Sequence, residues 1–237
     1  DGKSGVAGLS IGLLDAGAKL GETNLDEEQI AEKFADIAAQ LSASADLDRA
    51  SVSLRTLAAK AEREAALALM RAVLSAPSFP AAMLEREKVR SIAAIKEAET
   101  RPDSIVAKRF AAAIYPHHPY GTFATVDSVG RINRDDIVTF WRTHFSARRA
   151  VVSIIGDISR AEAEDIAAHL TDALPDAADQ ASMQLPAVTL PIRETIRLPH
   201  PATQSHILIG MPSLKRTDAD YFPLLVGNYV LGGGGFV

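Results

Sequence analysis

The sequence predicts an α+β fold, with an antiparallel sheet and helices packed on it. Residues 40–58 alternate small or apolar with polar side chains over two short runs, which predicts a pair of strands turning near Asp46–Asp48. Two further strand patterns, 195–199 and 205–212, follow each other late in the chain, whereas long helical patterns occupy the middle. Because strands and helices do not alternate strictly, the order favours α+β over a parallel α/β sheet.

The first half of the chain is dominated by helical periodicity. Residues 4–18 and 25–39 are predicted to be helices, the second with Asn24 as its N-cap and with acidic residues in its first turn. Three more helical stretches follow, at residues 60–75, 80–99 and 103–113.

The second half mixes loop, helix and strand signals. The stretch YPHHPYG, residues 115–121, is a loop by its prolines and glycine. Residues 133–144 are predicted to be a helix capped by their first residue, and the β-branched run 150–158 a buried strand. Ser159 and Glu162 have the spacing of a capping box, which starts another helix.

A polar, proline-bearing and aperiodic stretch, residues 175–188, is predicted to be a linker. It divides the chain into a first domain, 1–174, and the start of a second, 189–237. A helix over 218–233 ends in glycines, as the apolar helix at 4–18 does, which is a weak indication of a duplicated domain. Because the chain starts in one helical pattern and stops just after another, we expect it to be a fragment.

The composition excludes several classes of protein. The chain has 237 residues, 47% of them hydrophobic, a mean hydropathy of +0.06 and a net charge of −5. Nucleic acids and anionic membranes as main partners need a basic surface, which this charge argues against. No apolar run reaches 18 residues, so no membrane span is expected. The chain contains no cysteine, which excludes disulfides and zinc–thiolate sites without fixing the compartment.

The residues alone offer no convincing catalytic constellation. No two histidines have the i, i+4 helical spacing of a zinc-binding pair, and no G-x-S-x-G elbow is present. The adjacent His117 and His118 are better explained as residues that shape the loop than as ligands. The acidic pairs Glu85/Glu87 and Glu97/Glu99 fit a solvated helix face. The chain's histidines are His117, His118, His144, His169, His200 and His206.

The first helical stretch carries an unusual row of glycines. On a helix, Gly5, Gly8, Gly12 and Asp15 fall within about 80° of the surface. An interior glycine costs about 1 kcal/mol relative to alanine. Close packing of another backbone against small residues is one explanation for them. The run of four glycines in LGGGGF, which begins at Gly232, is either a helix stop or a backbone that must approach a ligand or move.

Several stretches, in order along the chain, resemble the pitrilysin–insulinase–mitochondrial processing peptidase family of zinc metallopeptidases, the inverzincins. Residues 115–121 are similar to that family's Y-P-x-H-P-Y-G loop. Residues 126–158, VDSVGRINRDDIVTFWRTHFSARRAVVSIIGDI, are similar to its following helix and V-x-G-D strand. Residues 220–236, DYFPLLVGNYVLGGGGF, look like the opening helix of its second domain and the glycine-rich turn. The resemblance covers essentially the whole chain and implies two homologous α+β domains in the full-length protein.

The resemblance also implies that the zinc site is lost. In the family's inverted motif H-x-x-E-H, two histidines bind zinc and the glutamate is the general base. That motif falls on Gly8, Ile11 and Gly12, and the paired glutamates of a later helix fall on Ala93 and Ala94. None of these side chains can bind zinc or accept a proton. The resemblance therefore implies a non-catalytic member without the family's zinc.

For function, the resemblance implies a subunit that helps to form a chamber and binds peptide substrate. Its partner would be a homologous catalytic metallopeptidase subunit in a heterodimer, or a second copy of itself. A structural scaffold and an active peptidase with chemistry elsewhere in the chain are the alternatives. Bacterial relatives of this kind are often periplasmic, which favours that compartment by resemblance only. The predicted substrate-binding residues are Gly232, Gly233, Gly234, Gly235 and Phe236.

Overall fold

The computed structural model describes residues 2–175, 185–190 and 192–233. These form two compact units. The first consists of Asp1–Arg101 and Phe123–Gln184, and the second of Pro102–Thr122 and Leu185–Val237. Most of the predicted linker, residues 176–184, lies outside the described residues. None of the described helices is both long enough and apolar enough to cross a lipid bilayer.

The first unit opens with a helix that is shorter than predicted. Helix α1 spans Val6–Gly12, and the predicted extension to residue 18 is wrong. The chain instead turns through Leu13 and Leu14, whose side chains are fully buried, and the Leu14 N–H donates to the Ile11 carbonyl at 3.3 Å, a tighter turn than that of an α-helix.

A short hairpin follows that the sequence did not predict. Strand β1, Gly17–Leu20, pairs antiparallel with strand β2, Thr23–Asp26. The chain turns at Gly21, whose φ of +60° is a conformation that glycine adopts without steric cost.

Helix α2 spans Glu27–Asp36, and Asp26, not the predicted Asn24, is its N-cap. The Asp26 carboxylate accepts a hydrogen bond from the Gln29 N–H at 2.9 Å, and the Gln29 side chain accepts one from the Asp26 N–H at 3.1 Å. This capping box satisfies two backbone groups of the first turn, so the helix begins at Glu27, two residues later than predicted.

The predicted strand pair is confirmed. Strand β3, Gln40–Ala45, pairs antiparallel with strand β4, Ala50–Arg55. In the connecting turn the Asp46 carboxylate accepts hydrogen bonds from the N–H groups of Asp48 and Arg49, at 2.8 and 2.7 Å. Such side-chain acceptors fix a turn without needing a glycine.

Five of the remaining helices agree closely with prediction, whereas the helix at Val126–Gly130 was not predicted and the helix at Tyr221–Asn228 is shorter than predicted. The predicted N-caps Asn133 and Ser159 are confirmed, and both form capping boxes, of which the sequence predicted only the one at Ser159. In chain order the remaining helices are α3 Lys60–Ser75, α4 Ala81–Ala98, α5 Pro102–Ile114, α6 Val126–Gly130, α7 Arg134–His144, α8 Arg160–Thr171 and α9 Tyr221–Asn228. With two antiparallel strand pairs among these helices, the α+β class is confirmed.

Three predicted strands are wrong. Residues 150–158, 195–199 and 205–212 are not paired as strands, and the run 150–158 is not buried, since Val151 and Ile155 are almost fully exposed. A strand exists only where a neighbouring backbone accepts and donates its hydrogen bonds. Among the described residues, these segments have no such neighbour, so their apolar pattern leaves them extended and unpaired.

The core of the first unit fixes α1 in place. Helix α1 packs against α7, strand β3 and α4. The Trp141 indole on α7 donates to the Leu74 carbonyl at 2.9 Å and packs edge-on against Phe79, with ring centroids 6.3 Å apart. Arg134 on α7 donates to the carbonyls of Phe79 and Ser78, at 2.9 and 2.8 Å. The largest fully buried apolar side chains of the first unit are Leu13, Leu14, Val73, Phe79, Val129, Ile132 and Ile137.

The second unit contains α5, the loop after it, and α9. The predicted loop 115–121 is confirmed and closes with a 3₁₀ turn at Pro119–Gly121. Helix α9 runs into a single π-helical turn at Tyr229–Gly233, and most of its apolar side chains are exposed.

Candidate functional site

Gly8 and Gly12 lie on the exposed side of α1, one turn apart. A Cβ atom added to either residue would have no heavy atom within 4 Å beyond its own helix neighbours. No backbone or side chain of the described residues occupies the space beside them. The expectation that these glycines permit close packing is therefore wrong for the part of the chain that the structure describes.

Gly5 differs from both. It precedes α1 with φ of +107°, and a Cβ on it would lie 3.2 Å from Val129 Cγ2 and 3.3 Å from the Ala124 methyl. A side chain here is opposed both by the backbone conformation and by close neighbours. Of Gly5, Gly8 and Gly12, Gly5 is therefore the one whose backbone conformation and close neighbours require a glycine.

The opposite side of α1 is buried and holds the helix in place. Leu9 and Ile11 are in the core, with Ile11 only 3% exposed. Between them the buried Ser10 donates its hydroxyl hydrogen to the Val6 carbonyl at 2.7 Å. Ile11, which falls on the general-base position by resemblance, thus contributes to packing, whereas the neighbouring Gly8 and Gly12 are exposed.

Ala93 and Ala94 lie on the exposed surface of α4, a helix that contacts α1. The carboxylates earlier on that helix are occupied by ion pairs. Arg86 makes a two-point contact with Glu27, at 2.7 and 2.6 Å, and lies 3.1 Å from Glu87. Glu87 also accepts from Arg90 at 3.0 Å. The ion pair between Arg86 and Glu27 thereby connects α4 to α2.

The electrostatics beside α1 are set by this network. Partial burial raises the pKa of Asp15, and repulsion from Glu27 and Glu87 adds to the rise. The hydrogen bonds from Arg86 lower the pKa of Glu27. The Asp15 carboxyl is therefore harder to ionise than an ordinary aspartate, and the Glu27 carboxyl is easier to ionise than an ordinary glutamate.

A zinc ion would find no side-chain ligand at the positions that the resemblance assigns to it. Glycine, isoleucine and alanine supply no nitrogen, oxygen or sulfur donor, whereas zinc sites in proteins use three or four such donors. Over the part of the chain that the structure describes, no group of three or more His, Asp or Glu side chains could hold a metal ion elsewhere. The zinc of the family does not fit this donor set. The positions concerned are Gly8, Ile11, Gly12, Ala93 and Ala94.

The glycine-rich turn is only partly described. Gly232 has φ of +138°, outside the range of ordinary L-residues, and Gly233 packs closely on the end of α9, where an added Cβ would lie 3.1 Å from the Asn228 carbonyl oxygen. Gly234, Gly235 and Phe236 lie outside the described residues. The prediction that this turn contacts substrate remains a prediction.

One of the two adjacent histidines in the second unit shapes its loop, as the sequence predicted. The His118 side chain is 5% exposed, and its Nδ1 accepts a hydrogen bond from the Tyr120 N–H at 3.1 Å. The preceding His117 adopts a left-handed backbone, with φ of +61°. The adjacency of the two residues was visible in the sequence, but which of them is buried was not.

Comparison with known families gives a match to the model described as "Peptidase M16 inactive domain" over residues 131–236. The match begins after α1 and α4. It therefore concerns the later part of the chain and does not include the five positions discussed above.

Two similar proteins come from a yeast and a bacterium. The probable mitochondrial-processing peptidase subunit beta of Schizosaccharomyces pombe is 24% identical over 172 residues, which cover 70% of this chain and 38% of that protein. The uncharacterised zinc protease SCO5738 of Streptomyces coelicolor is 29% identical over 148 residues, 57% of this chain and 31% of that protein. The chain thus spans about a third of the length of these relatives.

Two solved structures share the fold. The crystal structure of a peptidase M16 inactive domain from Pseudomonas fluorescens aligns with a TM-score of 0.82 and 30% identity, over 99% of this chain and 56% of that one. Pitrilysin aligns with a TM-score of 0.62 and 19% identity, over 78% of this chain and 20% of its own, which shows the fold alone. The matches in sequence and in structure agree on the M16 peptidases as the proteins that this chain resembles.

Proposed function

We propose that this chain is a non-catalytic M16 homologue, which binds peptide and forms part of a chamber together with a catalytically active homologue. One observation carries the proposal. Each position that would carry a zinc ligand or the general base has a side chain without a donor atom, on two helices that are otherwise intact. A peptidase of this kind needs the metal to activate water, so this chain would supply binding and not hydrolysis.

The integrity of α1 supports a retained structural role. The helix keeps a buried side, with Leu9 and Ile11 in the core, and an open side at Gly8 and Gly12. If the helix had merely decayed, its core side would have no reason to be well packed. A binding subunit that acts beside a separate catalytic chain would keep this packed helix and would need no zinc ligands on it.

The relatives' names support the partnership. One is a zinc protease and another is a subunit of a processing peptidase, a word that implies a second chain in that protein. By analogy the partner here is a homologue with an intact H-x-x-E-H motif, and the ligand is a peptide. A scaffold that does not influence cleavage, and a peptidase active by itself, are the two competing functions.

The test uses the full-length protein and a homologue from the same organism that retains H-x-x-E-H. Each is purified, and complex formation is measured by sedimentation while cleavage of a peptide library is measured for each protein alone and for the mixture. We expect a complex and a cleavage rate well above that of the active homologue alone. A complex with no gain in cleavage would instead establish a scaffold, and cleavage by this chain alone would overturn the proposal.

The chain offers a matched pair of variants for the substrate-binding part of the proposal. Gly232→Ala forces a side chain onto a backbone with φ of +138°, whereas Gly227→Ala places a methyl group in open space on α9. If the turn contacts peptide, Gly232→Ala lowers the gain in cleavage without preventing the complex, and Gly227→Ala leaves both unchanged. If both variants give the same gain in cleavage and the same complex formation, the turn does not contact the substrate.

A further inference from the structure

We draw no further inference here: the strongest candidate, the apolar groove of the first unit between strand β4 and the extended segment 150–158, carries no proposal, because nothing in the structure shows what covers it.

Discussion

Gly8 and Gly12 lie one turn apart on α1, and a Cβ added to either would meet no atom of the described residues within 4 Å beyond its own helix neighbours. They are neither needed for a turn nor pressed by a neighbour, unlike Gly5 at the start of the same helix. The two glycines therefore destabilise the helix with no packing benefit in this unit. The resemblance to zinc peptidases gives these positions a meaning that the fold itself does not supply.

Replacing Gly8 by alanine is predicted to stabilise the first unit. The gain comes from the lower backbone entropy of the unfolded chain and is about 0.5–1 kcal/mol in the free energy of unfolding. Urea unfolding measures it. Gly5→Ala is the control and should destabilise, because its φ of +107° and the 3.2 Å approach to Val129 oppose a side chain. Destabilisation by Gly8→Ala would show that something does occupy the space beside it.

Restoring the family's residues is predicted to have opposite effects on the two sides of α1. Gly8→His places an imidazole in open space and changes stability by less than about 1 kcal/mol. Ile11→Glu puts a carboxyl into a site that is 3% exposed, at a cost of about 3 kcal/mol or more. Thermal or urea unfolding compares them. An Ile11→Glu variant as stable as the wild type would mean that residue 11 can turn out of the core.

The double variant Gly8→His/Gly12→His is predicted to gain affinity for zinc. Two histidines at i and i+4 on an exposed helix face can share one ion, and an ion bound only to the folded state raises the melting temperature. We expect a zinc-dependent shift larger than that of the wild type. The single variant Gly8→His, which has only one of the two histidines, is the matched control. If zinc raises the melting temperature of the single and double variants equally, the side chains at positions 8 and 12 do not share one ion.

Asp15 gives a prediction with a defined sign. Its pKa is raised above the ordinary 3.8, so the folded state binds this proton more tightly than the unfolded chain, and ionised Asp15 costs stability at neutral pH. Asp15→Asn should therefore be more stable than wild type at neutral pH, and the advantage should shrink as the pH falls through the raised value toward 3.8. Urea unfolding at several pH values measures it.

Glu27→Gln is the control of opposite sign for Asp15. Arg86 lowers the pKa of Glu27, so its stabilising contribution is present above the ordinary value and is lost as the pH falls through the lowered one. The variant should be slightly less stable than wild type at neutral pH, and the difference should vanish in acid. If both variants shift stability in the same direction at neutral pH, the charge network beside α1 is wrongly described.

Local sequence signals were sufficient for the long helices. The helices α3, α4, α7 and α8 follow from periodicity over many residues, and the side-chain caps at Asn133 and Ser159 mark two of their starts. Local sequence signals also predicted the pair of β3 and β4, but they failed for the other three strand patterns. The run 150–158 has the composition of a buried strand, yet pairing depends on a backbone elsewhere in the chain, which composition does not reveal.

The candidate site was located by resemblance and could not be derived from periodicity. Periodicity placed Gly8 and Gly12 on one side of a helix, but whether that side is filled or open depends on which elements pack beside it. The burial of Ile11 and the two-point contact between Arg86 and Glu27 join parts of the chain that are remote in sequence. These features required the folded arrangement.

The central claim is that this chain has no zinc site of its own. It is tested most directly by measuring the metal content of the full-length protein, purified and then dialysed after exposure to zinc, together with its cleavage of peptides in the absence of any partner. We expect far less than one zinc ion per chain and no cleavage. One tightly bound zinc per chain, accompanied by cleavage that a chelator abolishes, would contradict it.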